Sequence, residues 1–300
     1  MGAGQIPLAA MKFQISHRTT YGYRRPVTQS QHLVHLRPRD TPAQRVANHS
    51  LLIDPAPAWR NEFTDTFGNA AELLHIEDEH SEFIIHARST VDVDAAPPMD
   101  LASSKAWEDV AAISGQSGGP DPAVLQFTCA SRHAPLSRAL RDFASPSFPA
   151  HRPVLEGAMD LTTRIFRGFK FDPQATDIST PVVRVLEFKR GVCQDFAHLS
   201  IAALRSLGLP ARYVSGYLLT RPPPGQPKLA GSDASHAWVS VWAPDVGWCD
   251  FDPTNGIMPN GEHVTLAYGR DYDDISPITG VLLGGGDQTM SVAVDVDAMG

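Results

Sequence analysis

Arg190-Gly191-Val192-Cys193-Gln194-Asp195-Phe196-Ala197-His198-Leu199 sets a cysteine at the mouth of a helix. From Phe196 the apolar residues recur at Leu199, Ala203, Leu204 and Leu207, a spacing that predicts one buried helical stripe. Gly208 and Pro210 end it, an αL-tolerant residue followed by a breaker. Gly191 permits a tight turn into the first helical turn. The unpaired N–H groups and the dipole of that turn favour an anion, so a thiolate at Cys193 is stabilised there. The competing reading is that Cys193 only fills a core, where free cysteines are common. The downstream sequence decides against it.

Ser235-His236-Ala237-Trp238-Val239-Ser240-Val241-Trp242 reads as a strand. Ala243-Pro244-Asp245-Val246-Gly247 is turn chemistry, and Trp248-Cys249-Asp250-Phe251-Asp252 returns as the second strand of an antiparallel hairpin. Side chains alternate faces along each strand. If Trp242 pairs with Trp248, Trp238 lies opposite Asp252, and His236 sits diagonally beside Asp252 on the same face. A carboxylate is then placed to orient an imidazole. Cys249 falls on the other face and is expected in the core. A histidine at a strand start is usually a satisfied surface or core residue, and an Asp before Pro-Thr is usually a turn former. Together with a thiol at a helix mouth, however, His236 and Asp252 make a nucleophile–base–orienter set.

The rest of the chain narrows the options. Its 300 residues, 42% hydrophobic and 19% charged, suit one large or two ordinary globular domains. A net charge of −8 gives no general attraction to nucleic acid or anionic lipid. There is no Walker loop or dinucleotide glycine fingerprint, and His32 and His35 lack further ligands at metal spacing, so no cofactor is expected. Three cysteines suit a reducing, cytoplasmic setting. Residues Met1 to Ala10 lack the pattern of a signal peptide, and no apolar run approaches the ~20 residues of a membrane helix.

Strand-like runs at Met11–Ser16, Gln31–Leu36, Arg45–Ile53, Ala71–Ile76 and Glu82–Val93 predict a small sandwich or barrel-like domain over 11–95. Within it Phe63–Phe67 runs into a Gly68-Asn69 turn. Pro97-Pro98, Ser103-Ser104 and the glycines of 115–119 mark 96–125 as a linker, leaving 126–300 for a second, catalytic domain. Helices are expected at Leu136–Phe143, Val154–Phe166 and Val182–Lys189, a strand at Ala211–Thr220, and an exposed proline-rich loop over 221–227.

Gly191-Val-Cys193-Gln-Asp-Phe-Ala197, Ala211-Arg-Tyr-Val-Ser-Gly-Tyr217, His236-Ala-Trp238 and Phe251-Asp-Pro-Thr254 resemble the transglutaminase-like superfamily. The pattern is most similar to its bacterial cysteine protease-like members with an extra N-terminal β-rich domain, and Asp65-Thr-Phe-Gly68-Asn69 is similar to that domain. The resemblance implies an α+β, papain-like core in which the nucleophile helix packs on an antiparallel sheet. It implies Cys193 as nucleophile, His236 as base then acid, and Asp252 as orienter. The implied activity is hydrolysis of a peptide, isopeptide or other amide bond through a thioester. Two departures, Gln194 where animal transglutaminases carry an aromatic residue and the lack of an acidic calcium cluster, weigh against protein cross-linking.

An acyl transferase using the same triad is the alternative. Arylamine N-acetyltransferases share the residue order but resemble Arg-Gly-Gly-x-Cys, against Arg190-Gly-Val-Cys193 here. A non-catalytic assembly module is a further alternative, disfavoured because all three residues are present. The backbone N–H of Cys193 is the natural first oxyanion donor. Gln194 and Tyr217 are candidates for the second, and Trp238 for touching substrate or shielding the Cys–His pair.

Overall fold

The computed structural model describes residues 10–95, 99–114, 121–220, 231, 233 and 235–299, so the readings made for 1–9, 97–98, 115–120 and 221–227 lie outside them. The first unit is built on β1 (Met11–Val34), a single strand of 24 residues. It joins Met11–Ser16 and the start of Gln31–Leu36, which the sequence marks as separate runs. Pro26 lies where the ladder to β5 shifts register between Gly22 and Val27, an irregularity that tolerates a residue without an N–H. β2 (Gln44–Asp54), β3 (Trp59–Thr64), β4 (Ala70–Ile76) and β5 (His80–Val93) complete an antiparallel array in the order β2-β5-β1-β4-β3. Alternation along β1 buries Phe13 and Ile15, as the sequence implies.

The stretch after β5 is more than a linker. α1 (Trp107–Ser114) buries Val110 completely, and α2 (Pro122–Leu125) starts at Asp121, whose carboxylate caps the Ala123 N–H. Composition suggested a spacer because Pro, Ser and Gly are frequent there, but a few apolar anchors suffice to dock it. α3 (Arg138–Ala144), α4 (Val154–Gly168), the short β6 (Lys170–Phe171), α5 (Val182–Phe188) and β7 (Arg190–Gly191) lead to α6 (Cys193–Ser206). α6 lies across the antiparallel sheet β10-β9-β8-β11, formed by β8 (Ala211–Leu218), β9 (Ser235–Ala243), β10 (Gly247–Phe251) and β11 (His263–Gly269). The predicted stripe understates its burial. Every residue from Asp195 to Arg205 is buried, because α3 and α5 cover the side turned away from the sheet. Ala197, Ala202 and Ala203 leave room for that approach. Arg205 stays inside because Ala211 O, Arg270 O, Cys129 O and Ser131 Oγ accept its hydrogen bonds.

The second departure from expectation is β12 (Ile278–Gly284) and β13 (Gln288–Met299). Both pair with β1 and make the first sheet seven-stranded. Residues 278–299 therefore belong to the sheet of 11–93, not to the layer that carries α6, and 11–93 forms no separate closed sandwich. Phe13, Ile15, Val91, Val93, Val294 and Val296 of this sheet pack with Tyr217, Val264 and Leu266 of the other into one apolar cluster.

Two side-chain amides reinforce the seam along β11, the edge strand of the second sheet. Gln44 donates to Thr265 O (2.7 Å) and accepts from Thr265 N (2.7 Å). Asn69, in the predicted turn, does the same with Tyr268 O (2.7 Å) and Tyr268 N (2.8 Å). Each amide takes the place of a missing neighbour strand, satisfying backbone groups that an edge leaves open. No helix among the described residues is long and apolar enough to cross a membrane.

A 125–300 fragment removes β1 from β12 and β13 and uncovers Val294 and Val296, now 0% exposed. It is expected to aggregate or to melt without cooperativity, as judged by size-exclusion chromatography and circular dichroism. A monomeric, cooperatively folding fragment would show that the first sheet is dispensable to the second.

Candidate active site

The thiol owes its position to the first turn of α6. Val192 precedes the helix in extended conformation, and Asp195 in the first turn accepts the Val192 N–H at 2.8 Å. Thr176 Oγ1 donates to the same carboxylate oxygen at 2.6 Å, tying the loop before α5 to the nucleophile turn. Gly191 acts through close approach, since a Cβ there would lie 2.6 Å from Asp195 Oδ2. Burial pushes the Asp195 carboxyl up, against the pull of its Thr176 and Val192 hydrogen bonds. Cys193 is partly accessible, Cys249 is 3% exposed, and Cys129 is exposed. Burial raises the Cys249 thiol to about 11. It is the core cysteine that strand parity predicts.

Of the two registers that keep His236 and Asp252 on one face, the hairpin adopts the one with Trp242 opposite Trp248. His236 Nε2 and Asp252 Oδ2 are 2.7 Å apart, and the Cys193 thiol lies near enough to the imidazole to act on its charge. With Nε2 held by the carboxylate, Nδ1 is the nitrogen left for the thiol. The side chain of Asp252 is fully buried and that of His236 is 9% exposed. Burial disfavours the imidazolium, but the Asp252 hydrogen bond and the negative charge of Asp252 and Cys193 outweigh it and push His236 up to about 10. Burial likewise works against the Asp252 carboxylate, while hydrogen bonds from His236, His263 and Asn255 hold its pKa well below the ordinary range.

His263, at the start of β11, is the residue that the sequence did not disclose. Its Nε2 lies 3.1 Å from Asp252 Oδ2. Asn255 Nδ2 donates to the same oxygen at 2.7 Å, and the N–H groups of Thr254 and Asn255 donate to Oδ1 at 2.9 and 3.2 Å. A lone histidine opening a strand carries no local signal of such a contact.

His236, Asp252 and His263 also offer three potential metal-ligand atoms within 4.8 Å of one another. A tetrahedral zinc with bonds of ~2.0 Å needs its ligand atoms ~3.3 Å apart. The 2.7 and 3.1 Å separations here are those of shared protons, so the arrangement as it stands does not fit an ion.

The remaining candidates differ in placement. Trp238 is fully buried, its Nε1 donating to Asp250 Oδ2 at 2.9 Å. Its ring lies 5.9 Å from that of His236 and meets His263 edge-on at 5.4 Å, so it walls the pair. Tyr217 is not brought to the thiol. It is 1% exposed within the seam cluster, and its hydroxyl is 2.9 Å from His17 Nδ1. Tyr213, four positions earlier on the same strand face, is the tyrosine that senses the Cys193 charge; burial first, then that charge, raises its hydroxyl pKa. Gln194 sits in the first turn of α6, partly exposed. A cleft of about 560 Å³ between the two sheets reaches Trp238 and His263 from the side of Arg212, Asp250 and Met258.

Comparison with known proteins agrees with this architecture. The profile of the bacterial transglutaminase-like N-terminal region matches residues 13–92, and that of the transglutaminase-like superfamily core matches 142–253. An uncharacterized protein of Mycobacterium tuberculosis is 39% identical over 300 residues, covering 97% of this chain and 94% of that protein. A protein-glutamine gamma-glutamyltransferase of Pseudomonas aeruginosa is 30% identical over 131 residues, 40% of this chain and 20% of that protein. The crystal structure of a candidate cysteine protease from Cytophaga hutchinsonii superposes with a TM-score of 0.75 at 22% identity, covering 97% of this chain and 92% of that one; it shares the fold.

Two outcomes are expected. Brief iodoacetamide treatment near neutral pH, read by mass mapping, labels Cys193 ahead of Cys129 and Cys249, because only Cys193 combines a helix N-terminus with an imidazole partner. Gly216→Ala destabilises by about 2 kcal/mol or more, since its Cβ would lie 2.2 Å from Val264 O and 2.4 Å from the Trp238 ring. Thermal melting measures it, and an unchanged Tm would mean that Trp238 has room to move.

Proposed function

The chain belongs to the transglutaminase-like superfamily, and from that premise we propose that it is a cysteine-dependent hydrolase of peptide, isopeptide or other amide bonds. The observation that carries the reading is the imidazole of His236, bonded at 2.7 Å to the buried Asp252 carboxylate and within electrostatic reach of the Cys193 thiol.

His236 Nδ1 takes the thiol proton, and the resulting imidazolium is stabilised by Asp252. Cys193 Sγ attacks the carbonyl carbon, and the carbonyl oxygen takes the negative charge. The N–H of Cys193, first in α6, is not needed by the helix and is the first oxyanion donor. The Gln194 amide is the candidate for the second. Collapse of the intermediate breaks the C–N bond, His236 gives its proton to the leaving amine, and a thioester remains on Cys193. Water, deprotonated by His236, then attacks the thioester, releasing the acid and restoring the thiol. Trp238 shields the imidazole from bulk water throughout. The three free cysteines accord with a reducing, cytoplasmic setting.

A second reading, transfer of the acyl group to an amine, has one observation in its favour: the similarity to the Pseudomonas protein-glutamine gamma-glutamyltransferase. The two diverge only when the thioester is resolved. Turnover of small amide donors with and without added hydroxylamine separates them. Acid as the main product supports hydrolysis, while hydroxamate at the expense of acid supports transfer.

Cys193→Ala is expected to abolish turnover with either class of product. Asp252→Asn keeps a hydrogen-bonding group but loses the charge, and turnover should fall roughly 10–100-fold, less than the ~10⁴-fold of the corresponding change in a serine protease. Asp252→Ala should fall further. A raised His236 pKa means that the imidazolium is fully present below its ordinary value of 6.5 and is lost as pH rises through about 10. The alkaline limb of the rate profile should lie near that point and move down in Asp252→Asn. Wild-type turnover in folded Asp252→Ala would leave only a Cys193–His236 pair.

A further inference from the structure

We infer that His263 is a positioning residue for the Cys193–His236 pair, acting through the carboxylate that both histidines share. The inference rests on the triad reading above and extends it to a fourth side chain, carried by a different strand.

The geometry defines what His263 contributes. Its Nδ1 faces the backbone N–H of Asn260 at 3.4 Å, a group that can only donate. The Asp252 carboxylate can only accept, so the Nε2 that lies 3.1 Å from its Oδ2 carries a proton and donates it. The Asn260 Oδ1 that lies 3.3 Å from Nδ1 also accepts the Glu262 N–H at 2.9 Å, which fixes that amide's orientation. With a side chain 2% exposed and the Trp238 edge against its ring, His263 has little freedom to turn away.

Asp252 Oδ1 is held by the N–H groups of the turn that follows it. Oδ2 alone faces His236, and it is positioned by His263 and Asn255. Without His263 the oxygen loses one donor and the neighbour that limits rotation of the carboxylate toward β11. The titratable groups gathered here are Cys193 from α6, His236 from β9, Asp252 after β10 and His263 from β11. β11 is in turn held by Gln44 and Asn69 of the first sheet, so the N-terminal region takes part in aligning the pair.

The test follows the rate of Cys193 alkylation by iodoacetamide against pH in the full chain, for wild type, His263→Phe and His263→Gln, with the Asp252 carboxyl titration followed by carbon NMR. Phe removes the donor, whereas the Gln Nε2 can reach the same oxygen. In His263→Phe the acid limb of alkylation should move up by about one pH unit, the scale of one hydrogen bond to a charged group. The plateau should fall roughly 3–10-fold, part of the ~10²-fold that a misplaced group can cost. His263→Gln should recover most of both changes. Should His263→Phe not fold, His263→Asn, too short to reach Asp252, takes its place.

Superimposable profiles in folded protein overturn the inference. So does a shifted Asp252 titration with an unshifted alkylation profile, which makes His263 a packing residue only. If wild-type Cys193 itself titrates like the exposed Cys129, the triad reading falls and this inference falls with it.

Discussion

A carboxylate with no access to water must be matched donor for donor, and at Asp252 it is. Two imidazoles, one side-chain amide and two backbone N–H groups converge on its two oxygens. Removing one partner of such a buried group costs about 3–5 kcal/mol when a charge is left uncompensated. The surrounding chain is arranged to prevent that. The turn after β10 supplies the backbone donors, β9 brings His236, and β11 brings His263. Burial by itself would strip His236 of its proton, and this anion is the first of the groups that oppose it.

The two sheets meet at the strand that carries His263. β11 has a partner on one side only, and its open edge is closed by the amides of Gln44 and Asn69 in place of another strand. A side-chain amide offers one donor and one acceptor at nearly the spacing of a peptide group, so the first sheet can grip the second without merging with it. The apolar seam of Phe13, Ile15, Val264, Leu266, Val294 and Val296 supplies the less specific part of the attachment. The first unit thus holds the strand that carries His263, and it contributes no side chain to the Cys193–His236–Asp252 set.

Cys193 and Cys249 show how context separates two chemically identical thiols. Cys249 lies on the core face of β10, where desolvation raises its pKa and leaves it inert. Cys193 lies at the first turn of a helix with an imidazole beside it and partial access to solvent. Gly191 and Asp195 make that turn compact, and Thr176 fastens the neighbouring loop to it.

Much of this was legible in the order of residues alone. The helical period after Cys193, the Gly208 stop and the two-residue alternation through His236 and Asp252 are local patterns, and each maps onto geometry without knowledge of the rest of the fold. Strand parity was enough to put His236 and Asp252 on one face and Cys249 on the other. What the sequence could not reveal was which surface covers which. Periodicity marks a buried face but not the element that buries it, so the pairing of 278–299 with β1, the docking of α1 within an apparent linker and the full enclosure of α6 emerged only in three dimensions. Tyr217 went to the seam and Tyr213 to the thiol for the same reason, since both share one strand face and only their neighbours differ. His263 is the clearest case. It reaches Asp252 because β11 pairs with β8 and is held there by residues some 200 positions earlier in the chain, a long-range constraint with no local imprint.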